Sequence, residues 1–281
     1  MKERSLVFFT LLMQASVGLC LGLNILGLNN FGSLAESTEF FRVAWILGLL
    51  MAAIGLASSF FHLKVPLHFW RAMSNLKTSW LSREILCASI YTVSMLVIAV
   101  LQFFLITESQ IFLIKGLAVF VGLAMIFCMG SAYRLRTVKF WDSAQTILTF
   151  YTTAFILGLL ILAILESTFP FGSSGFYFST DHSGGILAAF LTLNLYFSFS
   201  GYRRLISRTD KTFPLINKIL RFRTGSGILA ASLSLALYFS DPVFAVEVFW
   251  TVFAAAFLSE FSGRVLFYMA QVPNGVYLLK E

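Results

Sequence analysis

Along this chain apolar residues fall in runs of about 20, set apart by short polar connections. That is the length a helix rising 1.5 Å per residue needs to cross roughly 30 Å of hydrocarbon. Eight runs are predicted as spanning helices: Leu6–Leu28, Arg42–Phe61, Ile85–Thr107, Phe112–Tyr133, Thr146–Leu165, Gly184–Tyr202, Gly225–Phe239 and Val243–Tyr268. Unbroken stretches such as Phe155–Leu165 lack the dyad alternation of an outer-membrane barrel. The seventh run is short because Asp241-Pro242 closes it, proline being a helix terminator. Met1-Lys-Glu-Arg before the first run resembles a signal peptide, but no small-x-small cleavage site precedes a soluble domain, so the run reads as a retained first span. The expected fold is an all-α membrane protein, one integral membrane domain over residues 1–281.

Small residues predict where these helices approach one another. Gly18 and Gly22 lie four apart, and Ala44, Gly48, Ala52, Gly55 and Ser59 form a stripe on the second span. Lipid tails offer helices no hydrophobic drive to associate, so close backbone contact at small residues takes its place. The 32 phenylalanines are expected to face lipid or pack between helices.

Charge adds an orientation. The odd connections carry Glu36 and Glu39, then Glu108, then Glu166 and Asp181, then Asp241. The even ones carry Lys64, Arg71, Lys77 and Arg83 against Glu84, then Arg134, Arg136 and Lys139 against Asp142. The sixth carries Arg203, Arg204, Arg208, Lys211, Lys218, Arg221 and Arg223 against Asp210. Excess lysine and arginine marks the cytoplasmic side, which places the even connections and both termini there.

Composition agrees with the class: 58% of residues are apolar and 12% charged, where a soluble domain carries about 25% charged. The net charge of +7 fits topology signals and anionic lipid better than nucleic acid. Cys20, Cys87 and Cys128 sit in or beside apolar runs with no ligand spacing, so neither an iron–sulfur cluster nor a zinc site is expected on this chain.

One connection is chemically rich. Ser58–Glu84 holds His62 and His68 of the three histidines, two of five tryptophans, Pro66 and four basic residues. If this segment folds back over the helix ends, His62 and Glu84 approach at the membrane boundary. Imidazole and carboxyl there suit hydrogen bonds to a quinone's two oxygens and uptake of protons from a quinol. Arg71 and Arg83 would offset developing negative charge or meet a partner. The plainer reading is that His62 caps a helix and Glu84 pairs with Arg83 or Lys77. A b-type haem needs histidines inside the spans; His62, His68 and His182 lie at span ends or in connections, so the bundle is expected to be haem-free. Glu260 and Arg264, one turn apart in the last span, read as an i,i+4 ion pair, structural or functional. Gln14, Asn24, Gln102, Asn194 and Glu247 either line a pathway or bond between helices.

Three stretches resemble the membrane anchor subunit family of dimethyl sulfoxide reductase and related molybdoenzymes. They are His62-Leu-Lys-Val-Pro-Leu-His-Phe-Trp-Arg71 with Asn75–Glu84 (containing Ser-Trp-Leu-Ser-Arg-Glu), then Tyr133, Trp141, Thr146, Thr149, Phe150 and Gly158, and last Glu260–Tyr268. Lys64 and Val65 depart from the small residues, often Gly and Ser, that the family places between histidine and proline. The resemblance implies a haem-free subunit, without iron–sulfur cluster or molybdenum of its own, that binds menaquinol. Its partners would be an iron–sulfur electron-transfer subunit and a molybdopterin catalytic subunit. It further implies a quinol site at His62, Pro66, Arg71, Ser82, Arg83 and Glu84, and an outward-facing, periplasmic side for the histidine, opposite to the charge rule. Lys64, Lys77, Arg203 and Arg204 are candidate partner-docking residues on the basic face. The competing class is a secondary transporter, for which broken helices are expected; all five prolines instead lie outside the span interiors.

Overall fold

Among the described residues there are eight helices and no strand: α1 (Lys2–Asn29), α2 (Thr38–Phe60), α3 (Trp80–Phe103), α4 (Phe112–Ala132), α5 (Ala144–Thr168), α6 (Thr180–Ile206), α7 (Pro214–Tyr238) and α8 (Ala245–Met269). The computed structural model describes residues 2–29, 38–60, 75–104, 110–135, 141–168, 180–206, 214–238 and 245–269. His62, Lys64, Pro66, His68 and Arg71 lie outside them, as do the side chains of Arg203, Arg204 and His182.

Seven of the eight helices are long and apolar enough to cross a membrane. The exception is α7, and it also corrects the expected boundary. It begins at Pro214, not near Gly225, so Lys218, Arg221 and Arg223 belong to the helix rather than to a connection. Proline fits the first helical turn because its missing N–H would have no intrahelical acceptor there. The basic first half dilutes the apolar signal, but the phase of the helix is unbroken: Ile216, Arg223, Gly227, Ala230, Ser234 and Leu237 are all buried on one stripe.

The helices form two groups of four. In the first, α1 packs on α2 and α4, and α3 on α2 and α4; in the second, α5 packs on α6 and α8, and α7 on α6 and α8. The groups meet chiefly along α1 and α5, with smaller contacts of α5 to α4 and of α1 to α8. This makes α1 the central helix, with Met13, Leu19, Cys20 and Leu23 wholly enclosed. At the α1–α5 crossing, a Cβ on Gly18 would lie 1.9 Å from the Ala154 carbonyl oxygen, and one on Gly158 would lie 2.1 Å from the Gly18 carbonyl carbon. The glycine pair therefore sets how near the two groups come. Within the first group the Ser16 hydroxyl donates to the Gly48 carbonyl (2.7 Å) and lies 2.8 Å from the Tyr91 hydroxyl, tying α1, α2 and α3 at a buried point. Phe103, Leu113 and Phe120 project outward, as helices bathed in lipid require.

Candidate functional site

The described parts of the three family-like stretches lie at the same, basic end of the bundle. In the first, the Ser79 hydroxyl caps α3 by accepting from the Ser82 N–H at 3.2 Å. Arg83 is committed to the preceding turn: Nε donates to the Leu76 carbonyl (2.8 Å), Nη2 to the Lys77 carbonyl (2.7 Å), and the guanidinium sits 4.3 Å above the Trp80 ring. Lys77 is exposed and Ser82 buried. Glu84, one position on and about 100° further round the helix, is only 3% exposed and has no hydrogen bond or ion pair among the described residues. The pairing of Glu84 with Arg83 or Lys77 is not formed, because the backbone of the turn already takes the arginine. Two of the Arg83 N–H donors are thus spent on holding the turn.

Glu84 lies within electrostatic reach of Tyr133 and Tyr268. Those two belong to the second and third stretches, and the Tyr268 hydroxyl donates to the Tyr133 hydroxyl at 2.9 Å. Around them stand Trp141, Phe150 and Phe267, with Tyr133 ring-centroid separations of 5.5, 5.9 and 5.4 Å. The Trp141 indole N–H donates to the Phe267 carbonyl (2.9 Å) while the two rings stack at 5.0 Å, and the Thr146 hydroxyl donates to the Trp141 carbonyl (2.8 Å). Residues far apart in the sequence are thus locked into one aromatic wall at the ends of α4 and α8 and the start of α5.

Arg264 adjoins this wall. Its guanidinium lies 3.8 Å over the Phe150 ring and its Nη2 donates to Gln14 Oε1 at 2.8 Å. Glu260 instead looks toward α5 and α6: its Oε2 accepts from the Thr153 hydroxyl (2.6 Å) and from Asn194 Nδ2 (3.3 Å). Asn194 Oδ1 accepts from Arg223 Nη2 at 2.9 Å. The expected one-turn pair of Glu260 and Arg264 is therefore not a direct hydrogen-bonded pair. The two groups act on each other through space, and each finds its hydrogen bonds on another helix. Interhelical bonds satisfy buried polar groups where water is absent, and here they join α1, α5, α6, α7 and α8.

Between α5, α6, α7 and α8 lies a cavity of about 60 Å³, lined among others by Thr149, Thr153, Tyr202, Arg223, Glu260 and Arg264. Arg223 stands nine positions into α7 and Glu260 nine before the end of α8, so each is roughly 13 Å from a helix end at 1.5 Å per residue. Gly263 makes room for the arginine: a Cβ there would lie 2.0 Å from Arg223 Nη1. Sequence reasoning misplaced Arg223 among the basic connection residues. The signal was the helix phase, since the buried positions Leu237, Ala230 and Arg223 are spaced by seven. Thr153, Asn194 and Gln14 carry no comparable local signal, because their partners sit on other helices.

No group of three or more His, Cys, Asp or Glu side chains able to hold a metal ion occurs among the described residues.

Comparison with known proteins matches this architecture. A family model described as DMSO reductase anchor subunit (DmsC) covers residues 1–269. Similar proteins include a sulfite dehydrogenase subunit of Allochromatium vinosum, 28% identical over 174 residues, 57% of this chain and 53% of that protein. An anaerobic dimethyl sulfoxide reductase subunit of Haemophilus influenzae is 26% identical over 162 residues, 57% of each protein. The YnfH subunit of an Escherichia coli anaerobic dimethyl sulfoxide reductase is 30% identical over 171 residues, 59% of this chain and 58% of that protein. The chain spans a little over half the length of these curated relatives. With helices, glycine crossing and aromatic wall falling inside the matched range, the chain belongs to the DMSO reductase anchor subunit family.

Proposed function

We propose that this subunit oxidises menaquinol at the basic end of the bundle and delivers the electrons to an iron–sulfur partner, which feeds a molybdopterin catalytic subunit in anaerobic respiration. A quinol becomes a quinone by losing two protons and two electrons. Glu84 takes one proton and His62 the other, and the electrons leave singly to a cluster held by the partner. Reduction of the terminal acceptor belongs to the molybdopterin subunit. What carries the reading is Glu84: an ionisable group buried in a spanning helix without a partner among the described residues is a functional group by default. The tyrosine pair within its electrostatic reach supplies a wall of the kind that holds an aromatic head group. Pro66, Arg71 and Ser82 would complete the pocket. The basic residues Lys64, Lys77, Arg203 and Arg204 would dock the partner, on the cytoplasmic side of a bacterial inner membrane if the charge rule governs.

The test is His62→Ala in the assembled complex. Loss of quinol-dependent reduction together with loss of quinol-analogue inhibitor binding is expected. Normal activity and inhibitor binding would sink the assignment. Arg83→Ala separates turn from site. Its hydrogen bonds go to exposed backbone carbonyls, each worth about 1 kcal/mol, so quinol oxidation is expected to stay within about twofold of the parent, with only a modest fall in thermal midpoint. A collapse of activity in a fully assembled Arg83→Ala complex would place that arginine on the substrate instead.

A further inference from the structure

We propose that the cavity between α5, α6, α7 and α8 binds a singly charged phosphate-type oxyanion, either free or as a phospholipid headgroup. The charge balance carries this. Arg223 and Arg264, 7% and 4% exposed, line the cavity together with Glu260, 3% exposed. Two guanidiniums thus face a single carboxylate. Buried charges at membrane depth pair or face a polar interior, and one positive charge here is left over.

The donor inventory agrees. Each guanidinium has five N–H donors, yet Arg223 spends one on Asn194 and Arg264 one on Gln14. The Nε of each is buried with no acceptor among the described residues. Thr146, Thr149 and Thr153 spend their hydroxyl hydrogens on the carbonyls of Trp141 and Gln145 and on Thr149 and Glu260, and among the described residues neither guanidinium donates to a cavity hydroxyl. Glu260 is in turn held by Thr153 and Asn194. Unused donors, positive charge and lone pairs of threonine oxygens together suit an anion that also carries a proton or an ester arm.

Size does not oppose this: a cavity of about 60 Å³ has room for more than one water-sized group. The surplus of one charge favours a phosphodiester or dihydrogen phosphate over a dianion. Because Arg264 touches both this cavity and the aromatic wall at Phe150, an occupant would fix the guanidinium that backs that wall, which the proposed function assigns to the quinol site. The anion site itself does not depend on quinol oxidation.

The experiment uses the purified complex containing the full chain, in nanodiscs of phosphatidylcholine alone. Inorganic phosphate is titrated into one arm, and phosphatidylglycerol is included in a second. Thermal midpoint and native mass spectrometry are read in both. A saturable rise in midpoint in one arm, with a single retained anion per chain, is expected and names the source. Arg223→Gln is expected to abolish the rise and the retained anion. Arg221→Gln, on the exposed face of the same helix, is expected to keep both. Should Arg223→Gln fail to fold, Thr149→Leu adds bulk to the cavity lining while keeping both arginines and is expected to weaken anion retention at least tenfold. No saturable response in either arm, equal loss in Arg221→Gln, or stabilisation by a naphthoquinone alone would overturn the proposal.

Discussion

Glu84→Gln is expected to lower quinol-dependent reduction by the assembled complex by about 100-fold or more, while reduction driven by a water-soluble dye donating directly to the partner subunits stays unchanged. The amide matches the carboxyl in volume, so packing of α3 against α4 is preserved. What it cannot do is take a proton. Proton transfer by a positioned side chain contributes about 10²–10⁴-fold to a rate. Because the dye bypasses the membrane subunit, an equal fall in both assays would report failed assembly. A quinol-dependent rate within threefold of the parent would remove Glu84 from the chemistry.

The second large effect is structural. Gly158→Leu is expected to abolish folded protein in the membrane, and Gly158→Ala to reduce it sharply. A side chain at Gly158 runs into the backbone of Gly18, with contacts of 2.1, 2.4 and 2.5 Å to its neighbours for the first carbon alone. Rotamer changes cannot relieve a clash with backbone, so the cost reaches or exceeds the roughly 3 kcal/mol at the top of ordinary overpacking. Against a total stability of about 5–15 kcal/mol, that prises apart the two four-helix groups. Gly116→Ala and Gly225→Ala provide the contrast, since a Cβ at either meets nothing within 4 Å. Both are expected to be neutral or slightly stabilising, alanine being the better helix former by about 1 kcal/mol. Membrane-extracted yield and thermal midpoint of the four variants check the ranking; equal behaviour of Gly158→Ala and Gly116→Ala would mean that the crossing does not hold the groups together.

The helical class was legible because spanning helices need long apolar runs, and runs such as Leu6–Leu28 and Phe112–Tyr133 leave little room for another reading. Gly18 stood out for the same reason, since few forces other than close approach act between helices in lipid. The start of α7 did not. A hydropathy window penalises Lys218, Arg221 and Arg223 alike, although only Arg223 turns inward and meets Asn194. Glu260 and Arg264 show the converse limit. Their i,i+4 spacing predicts a local pair, but Thr153 and Gln14 on other helices take the hydrogen bonds, and such partners leave no mark in the sequence near either residue. The three family-like stretches were readable as separate motifs. That the Tyr268 hydroxyl bonds to the Tyr133 hydroxyl, within electrostatic reach of Glu84, is a property of the fold.

The most direct measurement is photolabelling of the intact complex with an azido-menaquinone, followed by mass-spectrometric mapping of the labelled residues. Label on the segment from Phe61 through Tyr91, or on the wall formed by Tyr133, Trp141 and Tyr268, competed away by a quinol-analogue inhibitor, is the predicted result. Label confined to α6 and α7, or spread over lipid-facing positions and indifferent to the inhibitor, would contradict the placement of quinol oxidation at Glu84.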